Sequence, residues 1–287
     1  MSGGSGFLVL SLDPRLERTL RFPELEKGEV NRTSEYSFDP AGRGINLARA
    51  LSHLGEPVTL LTYLGGPRRD TILGLLREEG ITTEAVESGL EIPTVYTILD
   101  AAAGSSTELA EAAHPLDRNT EEALEERSRR LIPEAHTAVV CGAGSVGWSD
   151  ELAAELVAAA RMAGVRAVVD TPDGELEKTV FQAPDLLRTR YDSFAKQFGN
   201  SLAELAEQGV AALLDQEESV RFSFPGGVSG IRERPEVGAV NFRGADSAFT
   251  AGFLAEWQEN GEPDAALERA FVTASMKAGQ LRPGAIR

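Results

Sequence analysis

Cysteine is nearly absent from this chain of 287 residues: Cys141 stands alone, so no internal disulfide can form. Histidine is almost as scarce, and the scattered His53, His114 and His136 give no metal-ligand spacing, which argues against zinc. No apolar run approaches the ~20 residues of a membrane span. The opening Met-Ser-Gly-Gly-Ser-Gly also lacks the basic and apolar regions of a signal peptide, so a cytoplasmic protein is expected. Basic residues are outnumbered, 28 Lys and Arg against 45 Asp and Glu, and the formal charge of −17 disfavours nonspecific contact with nucleic acid or acidic membranes. What the chain does have is apolar residues at 42%, enough to build one large α/β domain.

Along the chain, Phe7 to Leu12 is a short apolar run that ends at Asp13-Pro14 and reads as a buried first strand presenting Asp13 at its C-terminal end. Arg18 to Ser37 alternates loosely around Pro23 and Gly28, and Pro93 to Leu99 with Ser105 to Leu109 predicts a hairpin. Both pieces belong to an accessory sheet. Asp39 to Arg49 is a glycine-bearing turn opening a helix, with small residues at Ala41, Gly42 and Gly44 and with Asn46 one turn in. From residue 120 onward strand and helix patterns alternate: 138–141, 149–163, 167–170, 184–187, 202–208 and 210–214. That order predicts a doubly wound, mainly parallel sheet.

The stretch Val240 to Phe253 holds the chemistry. Gly244-Ala245 leads into a small-residue helical pattern, so amide groups from Gly244 to Ser247 are expected to point out of a helix N-terminus, a site for a phosphate. Asp246 beside those donors has the chemistry of a base in phosphoryl transfer. Its local sequence is equally that of a helix cap.

Taken together, these pieces resemble the ribokinase-like (PfkB) carbohydrate kinases, in particular the branch acting on fructose 1-phosphate and tagatose 6-phosphate. Ser11 to Thr19 resembles the opening strand and turn, and Gly28 to Arg32 and Ala41 to Arg49 the first signature. Thr107 to Glu111, Gly142 to Gly147, Asp170-Thr171 and Pro184 to Arg188 are similar to further segments of that family. The resemblance implies a three-layer α/β/α domain with a small β lid, its strands within about 15–38 and 92–110, closing over a sugar or sugar phosphate and offering a route to a homodimer. It implies ATP with Mg²⁺ at the C-terminal ends of the strands, sugar contacts from Asp13, Gly42, Arg43 and Asn46, and an anion hole with a catalytic Asp.

The chain departs from that pattern on the nucleotide side. The family's Gly-Ala-Gly-Asp is Gly244-Ala245-Asp246-Ser247 here, so the aligned catalytic position holds Ser247 and the acid stands one residue early. In a helix that is a rotation of ~100°. Leu214 to Ser219 is acidic where the family places a segment beside the ATP phosphates, and Arg188-Thr-Arg190 replaces Lys-Pro-Asn. Arg188, Arg190 and Arg243 remain as candidate phosphate contacts. Two functions stay open at this point: an ATP-dependent sugar-phosphate kinase, and a sugar-phosphate-binding or regulatory protein on the same fold. Cys141 reads as a small buried residue rather than a nucleophile, and Trp148 and Trp257 as packing groups.

Overall fold

The computed structural model describes residues 5–142, 149–199 and 201–286. In chain order its elements are β1 (Phe7–Ser11), β2 (Arg15–Phe22), β3 (Glu35–Ala41), α1 (Arg43–His53), β4 (Val58–Gly65), α2 (Arg69–Glu78), β5 (Thr82–Ser88), β6 (Thr94–Asp100), β7 (Ser105–Ala110) and α3 (Arg118–Leu131). There follow β8 (Thr137–Cys141), α4 (Asp150–Met162), β9 (Arg166–Asp170), α5 (Glu177–Phe181), β10 (Leu186–Arg190), α6 (Tyr191–Phe198), α7 (Leu202–Glu207), β11 (Ala211–Asp215), β12 (Ser219–Phe224), β13 (Val228–Glu233), α8 (Ala245–Asn260) and α9 (Pro263–Ala278).

Among the described residues nine strands form the main sheet in the order β13-β12-β11-β10-β9-β8-β1-β4-β5. It is parallel from β5 to β11, and β12 and β13 add an antiparallel edge. Burial on both faces explains why β1 and β8 read as unbroken apolar runs. α1 packs on α8 and α8 on α9, while α3, α4 and α5 form a separate group, which gives the expected three layers. Sequence pattern does not announce β5, β12, β13, α5, α6 or α9. Most of these are too short for their periodicity to stand out, and the acidic 214–219 segment turns out to be the tight turn from β11 into β12. The Gly142 to Gly147 turn beyond Gly142 and Trp148 lie outside the described residues.

The chain leaves β1 toward β4 and β5 on one side and returns to β8 on the other, so the strand order reverses beside β1. Open α/β sheets hold their ligands outside the C-terminal strand ends at such a point. A second sheet, β3-β2-β6-β7, is inserted after β1 and after β5, at those same ends. Alternation gives it two different faces. Glu17, Thr19 and Thr97 are buried on one, while Tyr36, Tyr96 and Leu109 are exposed on the other. Among the described residues no helix is long and apolar enough to cross a membrane.

Candidate active site

α1, β9, β10, β11 and α8 deliver charged side chains to the C-terminal ends of the main sheet, next to Asp13 just beyond β1. Gly42 starts α1 with φ +120°, and a Cβ there would stand 2.5 Å from the Asp13 carbonyl oxygen, so only glycine lets the helix begin against the end of β1. The Arg43 amide then donates to both carboxylate oxygens of Asp13, at 3.0 and 3.2 Å, and Arg15 Nη2 donates to Asp13 Oδ2 at 2.7 Å. Asp13 is thereby spent on holding the α1 N-terminus and its own turn.

Arg43 reaches across the strand ends to Asp170 at the end of β9. Its Nε and Nη2 donate to Asp170 Oδ1 at 2.8 and 2.6 Å, and Thr250 Oγ1 of α8 donates to Asp170 Oδ2 at 2.8 Å. Arg188, 0% exposed in the middle of β10, is the second hub. It donates to Asp215 at 2.9 Å, to Asp246 Oδ1 at 3.2 Å, to Thr250 Oγ1 at 2.6 Å and to the Asp246 carbonyl. Its guanidinium lies 4.4 Å from the Phe249 ring centre. Asp215 takes a further bond from Arg234 Nη2 at 2.6 Å. Burial works against both buried guanidinium charges, but the surrounding aspartates outweigh it and hold Arg43 and Arg188 above their ordinary values.

These ions floor a cavity of about 750 Å³, a volume within the usual range for small-molecule sites. Arg43, Arg190 and Arg234 with Asp192, Asp215, Glu217 and Asp246 supply its charged wall, and Val237, Phe242, Phe271 and Ala278 are among its apolar residues. A second cavity of about 460 Å³ opens between the accessory sheet and the loop before α8, lined by Arg21, Ser106, Glu108, Asn241, Arg243 and Gly244 among others. Asp246 and Phe242 line both.

Asp246 therefore stands at the junction, 57% exposed, in the first turn of α8. Desolvation opposes its ionisation, yet the Arg188 and Arg43 charges prevail and keep the carboxyl below the usual range, so it is anionic at neutral pH. Gly244 caps α8 at φ 82°, and a Cβ there would meet the Gly284 amide nitrogen at 2.4 Å. The Ala245 amide is bonded to the Phe242 carbonyl at 2.9 Å, which leaves Asp246 and Ser247 as the first-turn amides that the helix does not use. Ser247 itself is buried, and its Oγ donates to the Arg43 carbonyl at 3.0 Å, pinning α8 to α1. A one-residue shift along α8 thus separates an exposed acid from a structural hydroxyl.

The other predicted residues take up varied positions. Asn46 is buried beside Gly244 and accepts from Arg49 Nη1 at 2.9 Å. Arg190 edges the larger cavity while bonding the Pro172 carbonyl at 3.1 Å and Asp173 at 2.8 Å. Arg243, expected on the nucleotide side, turns instead toward the accessory sheet. There its Nη1 meets Glu108 at 3.0 Å, and its Nε stands 3.6 Å from Glu17 Oε1. Two acids of the lid attract it more strongly than the already compensated floor. Arg43, expected at the sugar, lies along the larger cavity because Asp170 draws it there. Phe242 is 64% exposed between the cavities and fills neither. Cys141 is buried, which pushes its thiol well up, with the Asp170 charge adding to the effect.

Three residues that matter were not singled out by sequence reasoning. Glu17 is 1% exposed and accepts from Thr97 Oγ1 at 2.7 Å, and its Oε2 has no hydrogen-bond partner among the described residues. A charged residue at an inward position of an alternating strand was the available signal. Arg234 and Asp215 meet only through the antiparallel edge, which no local pattern announces.

A deep cleft at the switch point of a parallel sheet, a small sheet over it and a helix N-terminus with an acid between two cavities define the architecture of a small-molecule phosphotransferase. The profile of the pfkB family carbohydrate kinases matches residues 15–285, and the chain belongs to that family. It is 24% identical to a 1-phosphofructokinase of Borreliella burgdorferi, over 86% of this chain and 83% of that one. It is 26% identical to a tagatose-6-phosphate kinase of Staphylococcus epidermidis, over 66% of this chain but 61% of the relative. The match to a 1-phosphofructokinase of Xanthomonas campestris likewise spans 56% of the relative's length. Among solved structures, a possible 1-phosphofructokinase from Thermotoga maritima superposes with a TM-score of 0.81 at 20% identity, covering 96% of this chain and 92% of that one. Escherichia coli phosphofructokinase-2 in complex with fructose-6-phosphate gives 0.79 at 20%, covering 96% and 94%.

Proposed function

We propose that this protein transfers the γ-phosphate of ATP to a hydroxyl of a sugar phosphate, with ATP in the larger cavity and the sugar phosphate beneath the lid. The observation that carries this reading is Asp246, an ionised and accessible carboxylate where the two cavities meet. It would accept the acceptor hydroxyl's proton while the unspent first-turn amides of α8 hold the transferring group. Glu17, with an unpaired carboxylate oxygen inside the lid, is the acceptor-side contact we assign to a sugar hydroxyl. Arg190 and Arg234, on the wall of the larger cavity, are the cations we assign to the donor phosphates.

Among the described residues no three His, Cys, Asp or Glu side chains gather to hold a metal. Mg²⁺ in phosphoryl-transfer sites needs only one or two carboxylates besides phosphate and water, and the exposed Asp246 would serve, Asp215 being taken up by Arg188 and Arg234. Its contribution would be to neutralise phosphate charge. Activity is tested with ATP and Mg²⁺ against fructose 1-phosphate, fructose 6-phosphate and tagatose 6-phosphate. Turnover of one of them supports the reading. Thermal stabilisation by a sugar phosphate without any turnover would return the protein to a binding role.

The lid also supports a homodimer. Its outer face runs in register through Phe38, Arg18, Tyr96 and Leu109, then Tyr36, Leu20, Ile98 and Thr107, with Tyr36, Tyr96 and Leu109 exposed. Sedimentation of Tyr96→Asp should show a shift toward monomer.

A further inference from the structure

Lys277, in the last turn of α9, is 0% exposed, and none of the chemistry above uses it. Its Nζ donates to the carbonyl oxygen of Asn241 at 2.8 Å and to that of Gln280 at 3.1 Å. Those carbonyls belong to the two segments that build the entrance to α8. Around them the Val240 and Asn241 amides both donate to the Ala278 carbonyl, at 2.8 and 3.1 Å, and Asn241 Nδ2 donates to the Leu281 carbonyl at 2.8 Å. Asn241 Oδ1 accepts from the Arg243 amide at 2.9 Å, one residue before the Gly244 cap. Gly284 closes the other side against Gly244 and Asn46.

We infer that Lys277 is a tethered cation: its ammonium bridges the backbone carbonyls of the 240–244 and 278–284 segments, as a bound monovalent metal ion would, and so positions the N-terminus of α8. An apolar side chain of the same length would leave both carbonyls buried without a donor. Three charged groups face Lys277: Glu17 of β2, which favours the ammonium, and Arg243 of the α8 entrance loop and Arg49 of α1, which oppose it. Burial is the largest influence and lowers its pKa from 10.5 to about 8, so it remains charged at neutral pH. Lys277 is a positioning residue, and its role in turnover rests on the kinase reading; its role in ordering the loop does not.

The experiment compares wild type, Lys277→Met and Lys277→Ala by amide hydrogen exchange and by kinetics, in potassium, ammonium and tetramethylammonium chloride at equal ionic strength. Exchange of residues 241–247 should rise ~10-fold or more in Lys277→Met while that of β8 and β9 stays unchanged. kcat should fall ~10- to 100-fold with the sugar KM within ~3-fold. In Lys277→Ala potassium and ammonium should restore protection to 241–247, and the larger tetramethylammonium should not, whereas the wild type responds alike to all three salts. Unchanged exchange in Lys277→Met, or a Lys277→Ala response indifferent to the cation, overturns the inference. Should neither variant fold, the ¹³Cε shift of Lys277 in the wild type decides: a neutral amine at pH 7 sinks the idea. Absence of any turnover in the wild type would remove the kinase reading and leave the exchange measurements to judge Lys277.

Discussion

Around the larger cavity Asp170 and Asp215 have their partners within the fold, whereas beneath the lid Glu17 keeps a buried oxygen that the described residues leave unpaired. The two cavities are a few residues apart in the same cleft, yet they solve different problems. Asp170 and Asp215 are matched by Arg43, Arg188 and Arg234, so this network is hydrogen-bonded without any ligand. Glu17 Oε1 pairs with Arg243 Nε at 3.6 Å, beyond hydrogen-bond distance, so neither Glu17 Oε2 nor Arg243 Nε has a hydrogen-bond partner among the described residues. Satisfied polar groups hold a shape, and a buried oxygen left without a partner is one that calls for an explanation.

That contrast can be broken most directly at the junction. Asp246→Asn should lower kcat by ~10²- to 10⁴-fold, the usual worth of a general base, while a sugar phosphate still raises the melting temperature. Ser247→Ala should cost less than ~10-fold, since its hydroxyl serves α1. Equal losses from the two would mean that the carboxylate is not the base.

Arg188→Leu attacks the compensated side. It leaves the Asp215 and Asp246 carboxylates without their buried partner and should cost about 3–5 kcal/mol in urea unfolding. A loss under ~1 kcal/mol would show that the network does not hold the floor.

Glu17→Gln probes the carboxylate with an unpaired oxygen and leaves the ion pairs of Asp170 and Asp215 untouched. It should raise the sugar-phosphate KM about 10-fold, the scale of one charge-assisted hydrogen bond, with the ATP KM unaltered. A matching rise in both constants would place Glu17 in the scaffold instead.

The smallest effect concerns pH. Lys277 is deprotonated from about 8 in the folded chain but from 10.5 when unfolded. The unfolded state therefore binds more protons between those values, and stability rises with pH through that window. By pH 9 the wild type should have gained on the order of 1 kcal/mol relative to Lys277→Met, measured by denaturation from pH 7 to 9. A constant difference between the two proteins would show that Lys277 does not titrate in this range.

The central strands were legible in the sequence because an unbroken apolar run such as Phe7–Ser11 is a local signal, and the lid strand Arg15–Phe22 showed a looser alternation. Glu17 was visible only as one more charge in a polar strand, because its meaning depends on which face the core buries. Arg243 was read toward the nucleotide from its place beside the anion hole, and the lid acids that capture it come from 226 and 135 residues away in sequence.

By itself the sequence determined the family, the parallel sheet and the arrival of Gly244 to Ser247 at a helix N-terminus, since each rests on short-range pattern. It left undecided whether Asp246 or Ser247 faces the cleft, because one step along a helix turns a side chain by ~100° and nothing local says which direction is inward. Tertiary packing made that choice. α1 lies against α8 on the side of Ser247 and takes its hydroxyl, and Arg188, arriving from β10, holds the Asp246 carboxylate at the meeting of the two cavities.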